Sequence, residues 1–95
     1  MSFYHWEMGK NEKLVRERGV SFEEVVLAIE KGKILDIVDH PNKGKYGSQK
    51  MYVIELNGYA YLVPFVQDKE VLFLKTIIPS RKATKKHLRG TDEDF

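Results

Sequence analysis

The chain contains no cysteine. That excludes a disulfide framework, a thiolate nucleophile, a Cys-ligated zinc site and an iron–sulfur cluster, so packing alone must hold the fold. No apolar run approaches the roughly 18 residues needed to cross a bilayer. The N-terminus also lacks the basic region and apolar stretch of a signal peptide, so a cytoplasmic location with no membrane partner is expected. No repeat and no Pro- or Ser-rich linker divides the 95 residues, a length that suits one small domain and not two. With 42% hydrophobic and 32% charged residues, the composition is that of a globular domain and argues against global disorder.

The net charge of +2 conceals an asymmetry. Residues 1–74 carry ten Lys/Arg against eleven Asp/Glu, whereas Lys75 to Arg89 carry six basic residues and no acid. The cationic surface is therefore local. Residues 91–95, Thr-Asp-Glu-Asp-Phe, reverse the sign in an acidic tail with too few apolar groups to pack. The expected domain spans residues 1–90, with 91–95 as the tail.

Ser21 followed by Glu24, with Val20 and Val25 outside them, is the pattern of a capping box and hydrophobic staple. A helix is predicted from there to Lys31, with Val25, Val26, Leu27 and Ile29 as its apolar stripe and Gly32 as its stop. An earlier helix is predicted over about Lys10 to Arg18, with Leu14 and Val15 inward and Gly19 as its end. Four β-rich runs follow, at 34–38, 51–56, 59–66 and 71–78. Asn57-Gly58 and the stretch Gln67 to Glu70 join the last three as hairpins, and residues 40–49 read as one long loop. The expected class is α+β: N-terminal helices on a four-stranded, mainly antiparallel sheet. Alternation leaves Tyr61, Val63 and Lys75 for a second face or a partner.

Ser80 is predicted to cap a short basic helix over residues 81–89. Arg81 and Lys82 then occupy its first turn, where the helix dipole disfavours cations by ~0.3–1 kcal/mol each. A bound phosphate would remove that cost, whereas a solvated basic helix simply tolerates it.

Three segments resemble the BrnT family of type II toxins, ribonucleases related in fold to the RelE toxins. They are Phe3-Tyr4-His5-Trp6-Glu7 with Lys10-Asn11, then Arg18-Gly19-Val20-Ser21-Phe22-Glu23-Glu24, and last Ile77 to Lys86. The first is similar to the family's opening aromatic strand and Lys-Asn helix start, the second to its Gly-Val-Ser/Asp-Phe-Glu-Glu junction, and the third to its closing Arg-Arg-Ala-Thr-basic-basic segment. Pro79-Ser80 departs from the usual small pair before Arg81. The resemblance implies a RelE-like fold and metal-independent cleavage of mRNA, with no cofactor. It also implies growth arrest relieved by a cognate antitoxin, through which the complex would bind operator DNA.

Cleaving RNA without a metal needs a base for the ribose 2′-OH, cations for the phosphorane and a proton for the leaving oxygen. Arg81 suits the second role through its planar fork, and Lys85, one turn on, adds charge. Lys10 is carried over from the family's opening motif, and an exposed helix lysine is its plain alternative. The base is open among His5, Glu7, Glu23, Glu24, His40 and His87; His5 is the first candidate, as a histidine within the matched opening segment, against a purely structural histidine. Lys75, Lys82, Lys86 and Arg89 would track the flanking backbone. Trp6, Tyr59 and Tyr61 offer rings for unpaired bases, against the more common place of such rings in the core of a small protein. The three histidines have no metal-ligand spacing. Two further readings stand beside the enzyme: a non-catalytic nucleic-acid-binding module, and an interaction domain whose basic groove receives an acidic helix.

Overall fold

A computed structural model describes residues 3–47 and 49–89. Strand β1 (Phe3–His5) leads into α1 (Met8–Arg18) and α2 (Phe22–Glu30). There follow β2 (Ile34–Asp39), the short α3 (Lys43–Tyr46), β3 (Lys50–Leu56), β4 (Tyr59–Asp68), β5 (Val71–Leu74) and β6 (Ile78–Pro79). The described chain closes with α4 (Arg81–Thr84), continued by a π-helical turn at Lys85–Arg89.

Local grammar explains the first helices. Ser21 Oγ accepts the Glu24 N–H at 3.2 Å, and Glu24 Oε1 accepts the Ser21 N–H at 2.9 Å, so the predicted capping box is complete. Val20 and Val25 are both buried beside it. Gly19 ends α1 with φ 71°, a left-handed value that costs a side-chain-bearing residue roughly 1 kcal/mol or more. Leu14 is buried as expected, but Val15 is 51% exposed: adjacent positions on a helix point about 100° apart, so one of the two faces water.

The sheet departs from the expected four strands. Its order is β1-β5-β4-β3-β2, with β6 also paired to β4, and the β1–β5 pair is parallel. Two physical reasons account for the difference. A three-residue strand is too short to show a period, yet β1 docks on β5 with the Phe3 N–H bonded to the Glu70 carbonyl at 2.9 Å. The predicted last strand is also interrupted at residues 75–77, which rotates Ile77 into the core at 0% exposure while β6 resumes pairing. Arg18 on α1 donates to the Ile77 carbonyl and fixes this break.

Helices α1 and α2 cover one face of the sheet, where Leu14, Phe22, Val25 and Ala28 pack with Tyr52, Ile54, Val63, Phe65, Leu72 and Leu74. Each fully buried aliphatic or aromatic side chain there contributes roughly 1.5–3 kcal/mol, enough for a cysteine-free domain. Val63 and Tyr61 therefore belong to the core side, contrary to the expectation that they serve a second face: Val63 is fully buried and Tyr61 packs against the cluster. The alternation still holds, but Leu62, Pro64 and Val66 are the residues it sends to the opposite face. The long loop predicted at 40–49 contains α3. The acidic tail at 91–95 lies outside the described residues. No helix among the described residues is long and apolar enough to cross a membrane.

Candidate nucleic-acid interface

The basic segment is anchored to the free face of the sheet through the backbone of Ala60. The Ser80 N–H donates to the Ala60 carbonyl at 3.0 Å, and the Ala60 N–H donates to Thr84 Oγ1 at 2.9 Å. Thr84 Oγ1 in turn donates to the Ser80 carbonyl at 2.8 Å, and Ser80 Oγ accepts the Ala83 N–H at 3.0 Å, as its predicted capping role requires. Thr84 is the buried polar side chain of this segment, and its hydroxyl is used as both donor and acceptor. The helix is thus tied down by its inner residues, which leaves its cations outward.

Arg81, Lys82, Lys85 and Lys86 are all exposed. Among the described residues none of them takes part in an ion pair, unlike Lys33, which pairs with Glu55 at 3.8 Å, and Lys50, which pairs with Asp39 at 3.0 Å. The α-helical part is a single turn, so the dipole argument for a phosphate at its start loses its basis: too few peptide units are aligned. The case for an anion rests on the side chains instead. Arg89 closes the π turn.

Beside the helix runs an open groove of about 410 Å³. Lys82, Lys86 and His87 line one wall, and Asp36, Asp39 and Pro41 of β2 and its following loop line the other. Its floor is apolar, made by Val38, Met51, Val53 and Leu62 with Ala83. These strand residues share one face because Asp36 pairs with Val53, Val53 with Leu62, Val38 with Met51 and Met51 with Pro64. Arg81 and Lys85 form a neighbouring strip and do not line the groove.

The other predicted site residues are distributed. His5 is exposed at the end of β1, level with Phe73, and Lys75 places its Nζ 5.0 Å from the centre of the Phe73 ring. His5 and Phe73 lie on the groove's face of the sheet, because their neighbours Tyr4, Leu72 and Leu74 pack with the core, and the ring contact brings the Lys75 ammonium to the same face. Lys10 is half-buried in the first turn of α1, eight positions before Arg18, or about 12 Å along the helix axis. Tyr61 sits edge-on to Tyr59, with centroids 5.7 Å apart, on the core side. Trp6 is stacked on Phe22 at 5.5 Å and packs against the core. Glu24 is consumed by the capping box, and Glu23 accepts from Asn11 Nδ2 at 2.8 Å, a bond that lowers its pKa.

The arrangement thus brings together Lys82, Lys86 and His87 in one groove, and His5 with Lys75 around Phe73 in another part of the same face. It does not gather Arg81, Lys85, Lys10 and His5 into one cluster. The acidic wall and the exposed Phe73 were not foreseen; the strand alternation could have identified Phe73 as a ring aimed away from Leu72 and Leu74. Among the described residues no group of three or more His, Asp or Glu side chains is disposed to hold a metal ion. A second groove, of about 310 Å³, lies between α2 and the β3–β4 turn, with Leu27 and Lys31 on one side and Glu55 and Asn57 on the other. Compared with known proteins, the chain matches no family model, and no curated protein matches it.

Proposed function

We propose that this chain is the toxin of a type II toxin–antitoxin pair, a metal-independent endoribonuclease of RelE-like fold that cleaves mRNA in the groove beside the basic helix. The observation that carries the reading is the shared wall of that groove, where His87 lines the same surface as Lys82 and Lys86 and the exposed surface beyond continues with Arg81 and Lys85. The toxin setting is supported by the resemblance of residues 3–11, 18–24 and 77–86 to the BrnT family.

In this reading Lys82 and Lys86 hold the non-bridging oxygens of the scissile phosphate, where charge grows in the transition state. Neutral His87 takes the proton of the 2′-OH, and the resulting oxyanion attacks phosphorus. The 5′-oxygen leaves and takes a proton from water at the open side of the groove. The products are a 2′,3′-cyclic phosphate and a 5′-hydroxyl end. Arg81 and Lys85 grip the flanking backbone. A cognate antitoxin would neutralise the protein by covering the same cations, and the complex would reach operator DNA through the antitoxin.

One observation favours a binding-only module instead: the four residues first nominated for chemistry are spread over β1, α1 and the basic helix. Turnover separates the two. Wild type, His87→Ala and Arg81→Ala are expressed inducibly in bacteria, and growth is scored together with the integrity of a defined mRNA. The enzyme reading expects arrest and cleavage by wild type and a loss of about a hundredfold or more in cleavage for His87→Ala. Intact mRNA from folded wild-type protein leaves the binding module.

A further inference from the structure

We propose that the sheet face beyond the groove is a stacking platform for unpaired RNA bases, with the Phe73 ring as its centre. The proposal rests on the RNA reading above and extends it to the form of the substrate, single-stranded RNA.

Three strands bring the platform together. Phe73 on β5 pairs with Val66 on β4 and with His5 on β1, so the three lie in one row across the sheet. Phe3 stands two residues back from His5 and is 53% exposed; Phe73 and Val66 are 37% and 44% exposed. Apolar side chains in such a row are normally covered, and here the core lies on the other side. The Lys75 ammonium stands over the Phe73 ring, with its centroid 5.0 Å away, and His5 is the register partner of Phe73 on the next strand.

Charge decides which partner suits the row. A protein interface excludes charged groups from its dry centre, and here burial would strip water from the Lys75 ammonium. A nucleobase can instead stack on the ring face that the ammonium does not cover, while its phosphates stay at the edge, within reach of Lys75 and in water. The position also fits: Val66 lies four residues beyond Leu62 on β4, so the row begins about 13 Å from the groove floor on the same face. The acids bound the path. Asp68 pairs with Val71 at the hairpin end, and Asp36 and Asp39 stand on the far wall of the groove. The strand of RNA would therefore run between them, from the groove past Lys75 to Phe73. A duplex cannot offer a base face to the ring without unpairing.

The test uses a short single-stranded 2′-O-methyl oligoadenylate carrying one 2-aminopurine, which cannot be cleaved through its 2′-oxygen, and the same strand annealed to its complement. Binding is measured by anisotropy, and stacking by quenching of 2-aminopurine fluorescence. Phe73→Leu keeps most of the apolar packing and removes the π-face; Phe73→Tyr keeps the ring. Phe73→Leu is expected to bind the single strand about 5-fold to 100-fold more weakly and to lose the quenching. Phe73→Tyr should retain both, and the duplex should bind wild type less tightly than the single strand. If wild type binds but Phe73→Leu binds and quenches equally, the platform is overturned and the RNA reading survives. If folded wild type binds no RNA, the RNA reading itself falls and the platform with it. If Phe73→Leu instead abolishes a wild-type dimer seen by sedimentation and leaves RNA affinity unchanged, the face is a contact between copies of the chain, and the proposal is overturned.

Discussion

The hydroxyl oxygen of Thr84 lies 2.9 Å from the backbone nitrogen of Ala60 and accepts its proton, which joins the basic segment to β4 at a buried point. Thr84→Val has nearly the same shape but cannot accept. It leaves the Ala60 N–H unsatisfied at a cost of about 1–3 kcal/mol. Urea unfolding is expected to show that loss, and hydrogen exchange at the Ala60 amide should accelerate. If the helix is held mainly by other contacts, the amide will stay protected, and the rivet assignment is wrong.

Asn11 joins the two N-terminal helices: its Oδ1 accepts the Phe22 N–H at 2.8 Å, and its Nδ2 donates to Glu23 at 2.8 Å. The second bond favours ionised Glu23 and lowers its pKa below the usual glutamate range. The contribution to stability is thus fully present above that range and is lost as pH falls through the lowered folded value. Asn11→Asp keeps an acceptor for Phe22 but sets a carboxylate against Glu23, which reverses the shift. Denaturation followed from about pH 6 to pH 3 should show wild type losing stability with acid, and Asn11→Asp losing less or gaining. Parallel curves would remove Glu23 from the account.

Capping and turn chemistry were the parts of this fold most legible in the sequence, because they depend on a few adjacent residues. Ser21 with Glu24, Gly19, and Asn57-Gly58 with φ 55° and 81° all stand where local rules put them. The strand runs were legible too, but their faces were not: the same alternation that buries Val63 exposes Val66, and only the position of α1 and α2 decides which side is core. The parallel β1–β5 pair and the break at Ile77 depend on contacts some 60 residues apart, Arg18 to Ile77 and Phe3 to Val71, which no local window contains. The cations of the basic helix could be read as a run. The groove that gathers Lys82, Lys86 and His87 could not, because β2 supplies its far wall.

Tyr52 is buried against Phe65, with ring centres 4.3 Å apart, and its burial raises the phenol pKa, with Tyr4 adding to the effect. Tyr4 is raised in the same way, first by burial and then by the Glu30 carboxylate. A raised folded value leaves stability intact below the ordinary phenol range and removes it as pH climbs from there through the raised one. Tyr52→Phe eliminates this alkaline penalty. Between about pH 9 and pH 12 the variant is expected to lose less stability than wild type, with phenolate absorbance of wild type developing in step with unfolding. Full ionisation of Tyr52 in protein that is still folded would contradict the burial argument.

The two strips of cations should separate in kinetics, because only one shares the groove with His87. Lys82→Gln with Lys86→Gln removes the charges facing the proposed scissile phosphate, so cleavage by saturated enzyme should fall by about a hundredfold or more. Arg81→Gln with Lys85→Gln removes backbone contacts made alike in ground and transition states. It should raise KM while leaving kcat nearly unchanged. Salt adds an independent reading: each lost phosphate contact reduces the slope of log affinity against log salt by about 0.7 for a single strand, so both double variants should bind with shallower slopes than wild type. Exposed helix substitutions of this kind rarely move stability by more than about 0.5 kcal/mol, so the losses should appear in folded protein. If the Arg81/Lys85 pair lowers kcat and the Lys82/Lys86 pair alters only KM, the scissile phosphate sits on the outer strip. The base would then have to be sought away from His87.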